Sequence, residues 1–218
     1  MKLRGRVAAI AAVCGGLALN GEHAAAQNWN GFYLGGSVGA GNAGSTWSQP
    51  GQTDTTLTGH GGFGGLQAGY NWQNGSILAG IEGDYLWSGI KGSSSCNNPI
   101  FACNDKLTGL GSLRGRLGWV AIPSAMIYFT GGVGWGSSQF GASDGTSATT
   151  FSFNHTSAGL VLGGGVEYLL ANNWSIKGEY LHYNLGTLNA SALDTNGQGP
   201  ISLKENANTF KLGVNYRF

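Results

Sequence analysis

Charged side chains recur in this sequence at a spacing that can do chemistry. Glu82-x-Asp84, Arg114-x-Arg116 and Lys177-x-Glu179 are three such pairs, with Glu167 before the last and Lys211 and Arg217 near the carboxyl end. A step of two places both members of a pair on one face of an extended strand. Carboxylates facing bases in this way could line a narrow ion path or neutralise one another in a polar interior. Isolated buried charge is very costly, so a narrow interior favours mutual pairing.

Other candidates are weaker. His155-x-Ser157 has the spacing of a nucleophile and its base on one strand face, but no acidic orienter lies nearby in sequence. A lipid-modifying enzyme is therefore a remote alternative, and no catalytic residue is assigned. Gly39-x-Gly41-x-x-Gly44 and Gly59-x-Gly61-x-x-Gly64 match a dinucleotide fingerprint. Neither opens a helix in a βαβ unit, as phosphate binding requires. Trp47, Phe101, Phe140, Phe151 and Phe153 fall in expected loops, where they could pack over a barrel mouth or form a haem or ligand patch. Cys96 and Cys103 lie close together in CNNPIFAC. In an exported chain they are expected to form a local disulfide. His60, His155 and His182 are scattered and match no zinc spacing, so neither metal nor cofactor is expected.

The first 26 residues read as a secretory signal. Lys2, Arg4 and Arg6 precede the apolar run Val7–Leu19, and Ala24–Ala26 offers a small-residue cleavage site. Cys14 lies inside the apolar run, which argues against a lipoprotein signal. Residues 27–218 then form one domain. Setting aside Lys2, Arg4, Arg6 and Glu22 leaves eight basic and nine acidic side chains of the 11 and 10 in the full chain. A net charge near zero implies no nucleic-acid partner. Forty-one glycines, seven tryptophans and 10% charged residues, with no long apolar helix after the signal, suit a β-barrel better than a soluble enzyme.

Period-2 alternation predicts eight strands, over residues 31–41, 62–72, 76–87, 107–120, 126–136, 156–168, 174–183 and 209–218. Three short turns are expected near Gln73–Gly75, Ala121–Ala125 and Leu169–Asn173, the first marked by Asn74-Gly75. Four long polar loops, 42–59, 88–106, 137–155 and 184–207, make up the other connections. All nine paired charges fall on the face opposite the large apolar side chains. Tyr70, Trp72, Tyr85, Trp87, Trp119, Trp135, Tyr168, Trp174 and Tyr216 sit near strand ends, as interfacial aromatic girdles do. The expected fold is all-β: an eight-stranded antiparallel up-and-down transmembrane barrel with its charges in the lumen and its greasy face in lipid.

The stretches NWNGFYLGG (Asn28–Gly36), AGIEGDYLWS (Ala79–Ser88), RGRLGW (Arg114–Trp119), YFTGGVGWG (Tyr128–Gly136), GGGVEYLLANNWSIKGEYLHYNLG (Gly163–Gly186) and GVNYRF (Gly213–Phe218) resemble the outer membrane immunogenic proteins of alphaproteobacteria, which share an OmpA-like barrel. The resemblance implies an outer-membrane location, antigenic surface loops and a role in envelope integrity. Some relatives bind haem or act as small porins, but no residue motif here carries either activity. Phe210, Leu212, Val214, Tyr216 and Phe218 look like the signal read by the barrel-assembly machinery. Expected partners are that machinery, outer-membrane lipids including lipopolysaccharide, and host or ligand contacts through the loops.

Overall fold

The computed structural model describes residues 28–48, 54–95, 101–144, 149–170, 173–190 and 201–218. The expected signal segment lies outside them. Eight strands follow in order: β1 (Gly31–Ser48), β2 (Thr55–Asn74), β3 (Ile77–Ser95), β4 (Phe101–Ile122), β5 (Ala125–Asp144), β6 (Thr149–Leu169), β7 (Trp174–Ala190) and β8 (Ile201–Arg217). Each pairs antiparallel with the next, and β8 returns to β1 to close an up-and-down barrel. The closing seam runs from Tyr33 opposite Arg217 to Ser48 opposite Ser202. Closure removes the last open edge, which is what lets a sheet sit in hydrocarbon.

Alternation sorts the side chains into two environments. Phe129 is 76% exposed and Phe218 70%, while Leu78, Leu86 and Leu110 are fully buried. Apolar residues thus cover the outside as well as filling part of the inside. Leu66, Leu113, Leu117, Leu160, Leu162, Phe210, Leu212 and Val214 all point outward. This belt is solvated by lipid. Trp72, Trp119 and Trp174 mark its rim near the short turns, and Tyr85, Trp87 and Tyr180 mark the other rim.

The strands are longer than the period-2 reading predicts, at 17 to 22 residues each. At ~3.3 Å per residue and a tilt of ~40°, 20 residues rise about 50 Å, against an apolar band of ~25 Å. Four expected loops are therefore largely strand. β1 continues to Ser48 and β2 begins at Thr55; β3 continues to Ser95 and β4 begins at Phe101. β5 reaches Asp144, β6 starts at Thr149, β7 reaches Ala190 and β8 starts at Ile201. Beyond the aromatic rim the outward positions turn polar while inward ones such as Leu57, Ile90, Leu107 and Phe140 are apolar, so the outward-apolar alternation of the belt is lost although the hydrogen-bond ladder continues.

At the opposite end the connections are short. Asn74 pairs with Ile77 across Gly75–Ser76, with Gly75 at φ 60°, one residue later than the Asn-Gly pair suggests. Ile122 pairs with Ala125 around Pro123. Phe218 donates its backbone N–H to Phe32 O at 3.0 Å, and their rings sit 5.6 Å apart. Phe210, Leu212, Val214 and Phe218 face outward with Tyr216 partly exposed, so the terminal residues line one face of the seam strand.

Candidate functional site

The lumen is filled in three layers. The middle one is built by inward positions on five strands, and it holds Glu82, Asp84, Arg114, Arg116, Glu167, Lys177, Glu179 and Lys211, all buried. Four acids and four bases balance. Arg114 Nη2 lies 2.6 Å from Glu82 Oε1 and 2.8 Å from Asp84 Oδ2, and its Nη1 lies 3.1 Å from Glu179 Oε1. Arg116 Nη2 meets Glu167 Oε2 at 2.7 Å. Lys177 Nζ meets Glu82 Oε2 at 2.6 Å, and Lys211 bridges Asp84 and Glu179. All eight side chains form one connected network.

Neutral groups satisfy the remaining oxygens. Tyr33 donates its hydroxyl to Glu82 Oε2 at 2.7 Å, and Tyr128 donates to Glu179 Oε1 at 2.9 Å. Ser112 donates to Asp84, while Ser175 and Asn215 donate to the same oxygen of Glu167. Arg116 stacks with its guanidinium carbon 4.1 Å from the centre of the Tyr128 ring. Gly69 leaves room for the Tyr33 ring; a Cβ there would lie 2.3 Å from the Tyr33 hydroxyl oxygen.

An apolar layer closes each side of this cluster. Toward the short turns lie Trp29, Leu78, Met126, Tyr128 and Leu169. Trp29 precedes β1 and is fully buried, with its indole N–H on Pro123 O at 3.3 Å and its backbone N–H on Gln73 Oε1 at 2.7 Å. Toward the long connections lie Phe63, Leu86, Ile90, Leu107, Leu110, Val161, Leu181, Tyr183 and Leu185. Above them is a polar mouth, where Ser157 donates to Glu205. There Asp105, in the part of β4 beyond the aromatic rim, faces the Glu205 charge. Burial, reinforced by that charge, pushes its carboxyl up to about 6.

The structure places eight of the nine expected charges in the central layer but routes them differently. Glu82 meets Arg114 and Glu179 meets Lys211 across adjacent strands, as alternation suggests. Glu167 and Lys177 are also register partners, yet Glu167 is paired by Arg116 from β4 and Lys177 reaches Glu82 on β3. Arg217 is not among these ion pairs. Its guanidinium carbon sits 5.1 Å from the centre of the Trp29 ring, and Nη2 donates to the carbonyls of Asn28 at 2.7 Å and Asn30 at 3.3 Å. It pins the segment before β1 into the barrel end. Glu205, Asp105, Tyr33 and Trp29 were not picked out from the sequence. Glu205 shares the parity of Thr209 and Lys211, so extending the strand backward would have found it.

The remaining candidates separate. Ser157 is committed to Glu205, and no hydrogen bond joins it to His155 among the described residues. Both glycine fingerprints lie on strands β1 and β2. Phe140 is buried in the lumen. The side chains of Trp47, Phe101, Phe151 and Phe153 lie outside the described part of the structure, as does Cys96 and with it the expected disulfide to Cys103. Oxygens of Glu82, Asp84 and Glu179 lie within 4.8 Å of one another, a spacing that suits a cation. Arg114 already contacts all three carboxylates, so the charge an ion would supply is present.

Residues 9–218 match the family described as outer membrane protein beta-barrel domain. The chain is 37% identical over 211 residues to the 31 kDa outer-membrane immunogenic protein of Brucella melitensis, covering 88% of this chain and 84% of that protein. It is 34% identical over 193 residues to the 22 kDa outer membrane protein of Rhizobium leguminosarum bv. viciae, covering 88% of this chain and 80% of that one. Among solved structures, the outer membrane protein OprG of Pseudomonas aeruginosa superposes with a TM-score of 0.55 at 10% identity, covering 88% of this chain and 99% of that one. That likeness concerns the fold alone.

Proposed function

The chain belongs to the outer membrane protein beta-barrel domain family, and on that premise we propose that it is a structural, non-enzymatic barrel that stiffens the outer membrane and presents its outer strand ends as surface antigen. The observation that carries this reading is the filled lumen: a neutral eight-charge network held between two apolar layers. A conducting path needs water-lined continuity, and an eight-stranded barrel is just wide enough for its own side chains. The network instead ties β3, β4, β6, β7 and β8 to one another across the interior.

The antigenic part of the reading is supported by the strand ends beyond the aromatic rim and by the immunogenic relative in Brucella melitensis. Deleting the gene is expected to sensitise cells to detergent and increase vesicle shedding. Restoration by the unmodified chain, and also by a form with altered outer strand ends, separates the mechanical role from surface recognition. Unchanged envelope resistance in the deletion strain, or a steady single-channel conductance of porin size, would sink the proposal.

A further inference from the structure

Past the aromatic rim, the outer surface carries a local charge imbalance. Lys91 on β3 and Lys106 on β4 are direct cross-strand partners, both exposed, with His60 of β2 opposite Lys91 on the other side. Partners in this position have Cβ atoms about 5 Å apart, and like charges placed so are destabilising. Neither lysine has an ion-pair partner among the described residues. The acids on β3 and β4, Glu82, Asp84 and Asp105, all point inward. The pair therefore offers two ammonium groups to one external anion.

The surface below the pair is shaped as well. Tyr85 and Trp87 on β3 stack edge to face, with centroids 5.4 Å apart. Their neighbours on β4 are glycines. A Cβ on Gly109 would lie 2.5 Å from the Tyr85 hydroxyl, and one on Gly111 would lie 2.3 Å from the Trp135 ring. The glycines thus make room for the Tyr85 and Trp135 rings over β4 beneath the lysines, with Trp87 standing edge to face beside Tyr85. Lower still, on the lipid-facing side, Leu66, Ala68, Gly83, Leu113 and Trp135 border an open groove of about 410 Å³. Ala68 and Gly83 are register partners, and their small size makes the depression.

From top to bottom the wall reads cation pair, aromatic shelf, apolar groove. We propose that this face of β2–β5 binds one anionic glycolipid of the outer leaflet. Lys91 and Lys106 clamp its phosphate, the sugar lies on Trp87 and Trp135, and an acyl chain occupies the groove. The order matches a lipid standing headgroup outward. The site is on the half of the barrel with the long connections, which faces the cell exterior in this architecture. Aromatic rings at this level suit an amphipathic ligand, and lysines reaching past the apolar belt suit its charge.

The experiment uses the folded mature barrel in dodecylmaltoside and measures binding of bisphosphorylated lipid A by native mass spectrometry. Lys91→Gln and Lys106→Gln are each expected to weaken binding about 5-fold, and the double variant about 30-fold. Ala68→Phe fills the groove and is expected to weaken binding with both lysines intact. Lys204→Gln, the same charge change on β8 away from this face, is expected to leave binding unaltered. A loss with Lys204→Gln equal to that of Lys91→Gln would reduce the effect to bulk charge and overturn the site. Equal binding of dephosphorylated lipid A or of phosphatidylglycerol would overturn the glycolipid assignment. So would displacement of lipid A by an equal concentration of pyrophosphate. These ligand arms need no variant, so a misfolded mutant does not blunt the test. Lumen conductance does not enter it, so the sealed-barrel reading and this one stand or fall separately.

Discussion

Arg114 on β4 reaches Glu179 on β7 across the lumen, Nη1 to Oε1 at 3.1 Å, while its other terminal nitrogen holds Glu82 and Asp84 of β3. One guanidinium thereby serves three carboxylates on two walls of the barrel. No other base in the network contacts three acids.

Arg114→Ala should therefore strip countercharge from all three at once. Breaking a buried ion pair by removing one partner costs about 3–5 kcal/mol. The urea midpoint of the barrel in lipid vesicles is expected to fall accordingly. Arg114→Lys should recover only part of the loss, because an ammonium lacks the planar fork that reaches both walls. Full recovery by lysine would show that charge alone suffices.

Trp29 is the second test. Its indole is fully buried at the short-turn end, braced by Arg217. Trp29→Ala removes a large buried side chain, a change that costs about 3–5 kcal/mol in a packed core. Because the segment before β1 is a plug rather than a wall, the strand register should survive. Retention of heat-modifiable gel mobility together with a lowered urea midpoint is the expected pair of results. An unchanged midpoint would mean that the plug is not coupled to the barrel.

The lumen should not conduct. In planar bilayers the unmodified barrel is expected to show no steady channel of porin size. Exchanging the Lys177–Glu82 pair for Met and Gln should leave it closed, since the apolar layers on either side are untouched. A current appearing in that double variant would locate the barrier in the charges instead.

Asp105 gives a pH signature. Its carboxyl is held up at about 6 by burial and by the Glu205 charge. The folded state thus prefers the protonated form. That contribution is fully present below the ordinary carboxylate range and is lost as pH rises through about 6. Between about pH 4 and 6, the window set by these two values, stability from this residue falls as pH rises. Asp105→Asn, neutral throughout, should flatten this part of the urea-midpoint profile. A variant profile parallel to the unmodified one would discount the residue.

Phe218 separates assembly from stability. Its side chain is 70% exposed and touches the outer face of the seam through the Phe32 ring. Deleting it leaves the lumen network intact. Membrane yield in cells is expected to fall more than the urea midpoint of the refolded barrel. Equal yields of the truncated and full-length chains would remove the assembly role.

Much of this architecture was legible because its signal is local. Side chains two apart share a face, so parity alone placed Arg114, Arg116, Glu82 and Asp84 together opposite Leu113 and Tyr85. The tips of the strands were not legible for the same reason. Ser93, Asn104 and Gln139 face water rather than lipid, and polar outward positions carry no contrast with a polar lumen mouth. Glu205 was missed there although it follows the parity of Lys211, whereas Asp105 shares the parity of the outward Leu113 and is turned inward by the bulge between Leu107 and Gly109.

Alternation along the chain thus determined the strands and set the charges on the face opposite the large apolar side chains, since each depends only on neighbours in sequence; the basic-apolar leader and the aromatic strand ends, not alternation, pointed that charged face inward. Which acid meets which base was decided by closure. A barrel's strands are staggered and tilted, so residues far apart in sequence face each other across the lumen. That is why Lys177 reaches Glu82 rather than its register partner Glu167. Arg217 meanwhile turns to hold Trp29, and Lys91 and Lys106 stand side by side through the β3–β4 register, which shifts after Trp87.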